Sequence, residues 1–312
     1  DATPTLSGTG VTGSTIHILN NGVEIGTATV VNGAWNFTPP ANLPDGPYNI
    51  RVNASDAAGN VSANSPVFSF TVDTTPPATP TVLTVLDDVG PVIGEINSGD
   101  TTNDNRPTFN GTGEIGATIT LLNDGQPFGT AVVNAQGNWT FTPTAPLSEG
   151  THTISLSTTD VAGNTSTTTS TFELTVDTFA PSAPAIINAT DNVGSVLTPV
   201  TNGKTTDDTT PTLNGTAAGN ATVIIYENGV QVGTAQANAS GDWSFTPGSA
   251  LSNGSHTWTA TATDAAGNVS VASPGFTVIV DTTAPLAPVI TQAIDNVGTV
   301  TGPLSNGQTT DK

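Results

Sequence analysis

A period of 104 residues constrains this chain more than any other feature. The stretch Val72–Gly90 (VDTTPPATPTVLTVLDDVG) returns as Val176–Gly194 (VDTFAPSAPAIINATDNVG) and as Val280–Gly298 (VDTTAPLAPVITQAIDNVG). Trp35, Trp139 and Trp243 keep the same spacing. Self-similarity at a fixed period means tandem copies of one folding unit. Pro4 and Pro107 are 103 apart, whereas Pro107 and Pro211 are 104 apart, so the first copy lacks one residue. The gap fits the turn Asn32-Gly33-Ala34, where the other copies have the longer NAQGN and NASGD. A loop tip tolerates such a change.

Within a copy the pattern is strand, turn, strand. In the middle one, Ala117–Asn123 alternates and meets Asp124-Gly125, a hairpin signal. Trp139 and Phe141 share one strand face. Thr151–Asp160 is a long alternating run, and Thr171–Val176 closes the copy at Asp177. With Ala78–Leu86 or Ala185–Thr190 as a first strand, each copy has about seven strands. The alternative for Ala78–Leu86 is an extended linker. No window has a helical period. The expected fold is all-β: tandem immunoglobulin-like antiparallel sandwiches in an elongated rod. The expected boundaries are 1–75 (first strand missing), 76–179 and 180–283, with 284–312 the start of a fourth repeat or a linker. Asp1 follows no initiator Met, so the chain is expected to be an excised fragment.

Composition narrows the function. Hydrophobic residues are 35% and aromatics 5%, so each core should be thin. There is no Cys, which removes disulfides and thiolate metal sites. Acids outnumber bases by 25 to 4, so nucleic acid and anionic lipid are poor partners. No apolar run approaches the length of a membrane span.

The acids are not scattered. Four positions recur in every complete copy: Asp1/Asp104/Asp208, Asp56/Asp160/Asp264, Asp73/Asp177/Asp281 and Asp87/Asp191/Asp295. These are 12 of the 25 acids, too ordered a set for solubility alone. Asp88 and Asp207 stand beside members of the set. All fourteen are candidate metal ligands. The motif Asp-(Ala/Val)-Ala-Gly-Asn, at Asp56, Asp160 and Asp264, also reads as a side chain-capped turn, and the two roles can coexist. In a sandwich, Asp87, Asp104 and Asp177 should lie at the pole that faces Asp264 of the next copy. Carboxylates crowded there without Lys or Arg would repel one another unless a cation were present. Oxygen-only ligands select a hard ion, and flexible geometry favours Ca²⁺ over Mg²⁺. Without Cys, and with His in only some copies, Zn²⁺ is disfavoured.

Catalytic patterns are absent: there is no GxSxG, Walker A or HExxH. His152 and His256 align with Tyr48, a position that accepts an aromatic rather than a general base. The Trp residues read as core, not as a glycan platform.

At these motifs the chain resembles the bacterial Ig-like repeats of giant surface adhesins exported by type I secretion, the class of biofilm-associated proteins and the large Salmonella adhesins. The residues that carry the resemblance are Thr101–Gly113 (TTNDNRPTFNGTG), Thr205–Ala217 (TTDDTTPTLNGTA), GNWTFTP, GDWSFTP, Thr263–Asn268 (TDAAGN) and Val72–Pro77 (VDTTPP). The resemblance implies a Cys-free, secreted, cell-surface stalk with Ca²⁺ at and near the junctions, active in adhesion, biofilm formation and virulence. It places the metal role on Asp56, Asp73, Asp87 and Asp104 and their counterparts. Lys312 stands where Asp208 stands, a departure from the pattern. The expected partners are Ca²⁺ and neighbouring repeats of the same chain, with host glycans bound through the full-length adhesin. The chain is expected to be a monomer, with no direct membrane insertion. The competing reading is that the repeats themselves bind host glycans or neighbouring adhesin chains.

Overall fold

The computed structural model describes residues 1–169, 171–194, 199–299 and 301–310, with the side chains of all of these except residues 82 and 83. Every element among them is a strand. No helix among them is long and apolar enough to cross a membrane. Lys312 lies outside the described residues.

Repeat 1 contributes β1 (Leu6–Thr9), β2 (Thr15–Asn20), β3 (Val23–Thr29), β4 (Ala34–Phe37), β5 (Gly46–Ser55) and β6 (Phe68–Val72). Repeat 2 contributes β7 (Thr81–Asp87), β8 (Gly94–Ile96), β9 (Thr101–Thr102), β10 (Thr108–Thr112), β11 (Thr118–Asn123), β12 (Gln126–Val132), β13 (Asn138–Phe141), β14 (Gly150–Thr159) and β15 (Phe172–Val176). Repeat 3 contributes β16 (Ala185–Thr190), β17 (Pro199–Val200), β18 (Lys204–Thr206), β19 (Thr212–Thr216), β20 (Thr222–Glu227), β21 (Val230–Gln236), β22 (Asp242–Phe245), β23 (Gly254–Thr263) and β24 (Phe276–Val280). A last pair follows, β25 (Ala293–Asp295) and β26 (Gly302–Leu304).

Repeat 2 is two sheets, β13-β10-β7-β8 and β12-β11-β14-β15-β9, and repeat 3 has the same order in β22-β19-β16-β17 and β21-β20-β23-β24-β18. Repeat 1 has β3-β2-β5-β6 on one side but only β1-β4 on the other. The run that reads as either a first strand or a linker is a strand: Thr81–Asp87 pairs with β10, so it belongs to the copy that follows. Pairing is antiparallel apart from two short strands. The strand β9 runs parallel to β15, and β18 runs parallel to β24.

Local chemistry explains the hairpins. Asn21-Gly22, Asp124-Gly125 and Asn228-Gly229 each hold two consecutive residues at positive φ. Two-residue hairpin turns require that geometry, and Asn-Gly or Asp-Gly adopts it at least cost. Asn32-Gly33 does the same at the shortened loop of repeat 1. Strand alternation then sorts the side chains. On β14, His152, Ile154, Leu156 and Thr158 point inward. Each repeat has its own core: Ile18, Trp35 and Ile50 in the first, Phe109, Ile119, Trp139 and Leu156 in the second, Leu213, Ile225, Trp243 and Trp258 in the third.

The chain forms two compact units, Asp1–Ala180 with Thr263–Val269, and Pro181–Ala262 with Ser270–Lys312. The short loop around Asp264 therefore groups with the first two repeats.

Candidate metal centre

The recurring carboxylates share one local bond. The Oδ1 atom accepts the backbone N–H two residues on, at 2.7–3.1 Å, in Asp1, Asp56, Asp73, Asp87, Asp104, Asp160, Asp177, Asp191, Asp208, Asp281 and Asp295. Asp264 Oδ1 instead takes the N–H of Asn268 at 2.9 Å. Turn-capping, read from the sequence at the Asp-(Ala/Val)-Ala-Gly-Asn loops alone, thus operates at all four recurring positions. One oxygen of each carboxylate is used in this way, so the second oxygen decides what else the group can do.

In the Asp-(Ala/Val)-Ala-Gly-Asn loops the second oxygen is satisfied from within. Asn60, Asn164 and Asn268 donate Nδ2–H to Oδ2 of Asp56, Asp160 and Asp264 at 2.8, 2.9 and 3.1 Å. The Asn60 side chain and the loop N–H groups hold the Asp56 carboxyl below its ordinary range. At Asp160 desolvation is the largest single influence and works upward. The bonds from Asn164, Ala162 and Gly163 together outweigh it, and the carboxyl again lies below its ordinary range. The same Asn side chains reach outward. Asn164 Nδ2 donates to the backbone oxygen of Asp73 at 3.1 Å, and Asn268 Nδ2 to that of Asp177 at 2.8 Å. The end of one repeat is thereby tied to the loop of the next.

A second group forms around Thr102, which is buried. Its Oγ1–H donates to Asp87 Oδ2, and the same oxygen accepts the N–H of Asp104 at 3.0 Å. Its carbonyl accepts the N–H of Asp177 at 2.9 Å. One threonine therefore orients three of the recurring aspartates. Thr206 repeats the arrangement with Asp191 at 2.7 Å, Asp208 at 3.0 Å and Asp281 at 2.9 Å. Thr310 donates to Asp295 Oδ2 at 2.9 Å.

Asp104 differs from every other member. Only 2% of it is exposed, and its Oδ2 is a buried oxygen that no hydrogen bond reaches. Burial pushes its carboxyl above the ordinary range. The N–H groups of Arg106 and Asp88 oppose that shift, and the carboxylates of Asp87 and Asp88 reinforce it. Beside it, Asn103 Oδ1 is also buried without a partner. At the equivalent place in repeat 3, Asp208 Oδ2 receives a long bond from the Asn192 N–H, at 3.4 Å.

The loop around Asp264 lies at this group. Ala265 lines a cleft of about 410 Å³ together with Asp87, Val92, Asp100 and Thr102. A Cβ on Gly267 would meet Val92 at 3.2 Å and Asn103 at 3.7 Å. The structure thus brings Asp87, Asp104 and Asp177 to the Asp264 loop, through Thr102 and Asn268. It leaves Asp1 and Asp88 exposed at the surface, and Asp207 exposed over Gly194. Among the described residues, no three acidic or imidazole side chains converge into a preformed cage. What the group offers a hard cation is a mixed oxygen set of two buried orphan oxygens, neighbouring carboxylates and backbone carbonyls.

A family model described as a bacterial Ig-like domain matches residues 1–74, 82–178 and 187–282. The chain belongs to the bacterial Ig-like domain family. No curated protein matches it. Among solved structures, the Ig-like repeats are similar to a tetra-tandem repeat in the extending region of a large adhesion protein, at 21% identity over 94% of this chain and 72% of that chain, with a TM-score of 0.28. The BSP domain of a biofilm-associated protein is 16% identical over 88% of this chain and 57% of that chain, with a TM-score of 0.25. Fibronectin(III)-like modules of Clostridium thermocellum CbhA are 20% identical over 55% of this chain and 85% of that chain, with a TM-score of 0.33.

Reasoning from the sequence missed two kinds of residue in these Ig-like repeats. Thr102 and Thr206 were legible only as part of the recurring Thr-Thr-(Asn/Asp)-Asp. Asn164 and Asn268 were legible only as the invariant end of Ala-Gly-Asn. Both are neutral, and a search for ligands looks at charge first. The imidazoles have a structural place. Tyr48 Oη–H donates to the Pro44 carbonyl at 2.9 Å, and Nε2 of His152 and His256 bonds the Ser148 and Ser252 carbonyls at 2.8 Å. This is the corner bond of Ig-like sandwiches, with His in place of Tyr.

Proposed function

We propose that these repeats are a non-catalytic spacer in the stalk of a bacterial cell-surface adhesin, stiffened by Ca²⁺ at and near the repeat junctions. The finer reading is a giant type I-secreted adhesin that serves attachment, biofilm formation and virulence. One observation carries the cation: the buried, unpartnered Oδ2 of Asp104. A carboxylate that loses water needs a replacement partner, and only four basic residues exist in the chain. Asp104 and Asp87, with Asn103 Oδ1, would hold the ion. Asp177 and Asp264 would join from the end of repeat 2 and the facing loop. Asp73 and Asp160 would act together at the end of repeat 1, and Asp191, Asp208, Asp281 and Asp295 would repeat the pattern in the second unit. The ion would supply the positive charge that lets these carboxylates stay ionised side by side.

The chain's own residues prepare the place. Each Asx turn fixes one carboxylate oxygen and so aims the other. Thr102 and Thr206 set the spacing of three aspartates each, and Asn164 and Asn268 hold the loop against the preceding repeat. All four Trp side chains are buried. That favours a spacer over repeats that stack on glycans, because a sugar platform needs an exposed ring.

Small-angle scattering in Ca²⁺ and in EDTA tests the reading. The expected result is a profile in Ca²⁺ that changes on chelation toward a more flexible particle. An identical profile and maximum dimension in both buffers would contradict it.

A further inference from the structure

Repeat 1 lacks what repeats 2 and 3 have: a first strand. In repeat 2, β7 covers the edge of β10, with Val85 opposite Phe109 and Val82 opposite Gly111. In repeat 3, β16 covers β19 in the same register, with Ala189 opposite Leu213 and Ile186 opposite Gly215. Both pairings skip one residue, between Asn110 and Gly111 or between Ile186 and Asn188. The equivalent strand β1 pairs with β4 alone among the described residues.

The uncovered edge opens into a groove. A cavity of about 320 Å³ is lined by Leu6, Trp35, Ile50, Val52 and Phe68, among others. Phe109 and Leu213, which occupy the place of Leu6, are wholly buried under their first strands. Leu6 is only half-buried. The glycine of each strand shows how close the covering backbone comes. A Cβ on Gly111 or Gly215 would lie 2.1 Å from the carbonyl oxygen of Thr81 or Ala185. Gly8 keeps the small residue, but no backbone atom is its neighbour there.

The opposite defect lies near the other end of the chain. Residues 285–292 are extended and exposed, with Leu286 at 96% and Ile290 at 89%. Val289 and Ile290 occupy the places of Ala185 and Ile186, and Ile186 packs on the core of repeat 3. The strand β25 already pairs with β26, with Ala293 opposite Leu304. That copies Val85 opposite Ile96 and Ala189 opposite Val200. The covering hairpin is therefore preformed and has nothing to cover.

We infer that the hairpin Val289–Leu304 of one copy of this chain docks on the open edge of β1 in a second copy. The register follows from repeats 2 and 3: Val289 opposite Thr9, Ile290 opposite Gly8, Gln292 opposite Ser7 and Ala293 opposite Leu6. Ile290 and Ala293 face the groove between Leu6 and Trp35. Main-chain hydrogen bonds along β1 supply affinity, and the two apolar side chains supply register, as in strand addition generally. Because donor and acceptor are different surfaces, the contact is head-to-tail and each added copy presents a fresh edge. Strand pairing alone carries this inference, and Ca²⁺ plays no part in it.

The absence of Cys makes a direct test simple. Ser7 and Gln292 take the places of Asn214 and Asn188, whose side chains bond each other at 3.0 Å. A mixture of the S7C and Q292C proteins, oxidised together, should give a disulfide-linked heterodimer several-fold above a mixture of S7C and V297C. Light scattering of the unmodified chain should give masses that rise with concentration past the monomer. Q292P, which alters a segment outside every core, should abolish that rise. A chain that stays monomeric at all concentrations, or cross-linking at the level of the V297C control, overturns the inference.

Discussion

Two buried carboxylates in the first unit, Asp160 and Asp104, make opposite demands. Asp160 sits in a loop whose own atoms satisfy both of its oxygens, and its carboxyl is held below the ordinary range. Asp104 sits behind a short parallel strand, has one oxygen with no partner, and is pushed above that range. The loop is complete within five residues. The strand site brings Asp104 and Asp87 together through Thr102 and leaves charge uncompensated. Equal recurrence in the sequence therefore hides two roles: one aspartate builds a turn, and the other waits for a cation.

The largest expected effect at the strand site comes from Thr102. Thr102→Val keeps the shape but strips the bonds to Asp87 and from the Asp104 N–H. Buried groups left unsatisfied cost about 2–4 kcal/mol together, read as a lower midpoint in urea for the first unit. If the variant is as stable as the parent, Thr102 does not organise the site.

The loop gives a smaller effect. Asn164→Ala should cost about 1–2 kcal/mol, because the side chain donates both to Asp160 and to Asp73. Asn60→Ala should cost about half as much, since Asn60 donates only within its loop. Equal losses by chemical denaturation would show that the bond to Asp73 contributes nothing.

The pH response should split the two carboxylates in metal-free protein. A lowered folded pKa, as at Asp160, adds stability that is present above the unfolded carboxylate range and is lost as pH falls through the folded value. A raised one, as at Asp104, does the reverse. Stability should rise as pH falls from neutral through the folded pKa of Asp104 toward its unfolded value. Thermal melts of D104N should lack that rise, and melts of D160N should lack the acid-side loss. A D104N profile that matches the parent would remove the contrast between the sites.

The smallest effect is expected away from both. His256 is pushed down by burial, but the Glu227 carboxylate and the Ser252 carbonyl outweigh that and raise its pKa. Its contribution is full below the unfolded value and is lost as pH rises through the folded one. Glu227→Gln should flatten that slope in repeat 3, and an unchanged slope would assign it elsewhere.

The repeat length, the hairpin turns and the inward Trp-x-Phe strands were legible because each rests on local chemistry: Asn-Gly turns, period-two alternation, one core per copy. The parallel strands β9 and β18 were not, because two or three residues carry no period. Thr102 could be seen to recur, but its role depends on the contact of β9 with β15, which pairing alone creates. Asp104 and Asp208 read alike. They differ because only Asp208 receives the Asn192 N–H as a hydrogen bond, a matter of fractions of an ångström.

The central claim is that Asp104 marks a cation site. Calorimetric titration of chelator-treated protein with Ca²⁺, for the parent and D104N side by side, tests it most directly. Binding with a Kd of about 10⁻⁴–10⁻³ M is expected, as for extracellular Ca²⁺ modules, and D104N should bind at least one ion fewer. Saturation with 10 mM Ca²⁺ would then stabilise the folded chain by about 1.5–3 kcal/mol per site. A parent that takes up no Ca²⁺, or a D104N variant with the parent's stoichiometry and affinity, would contradict the account.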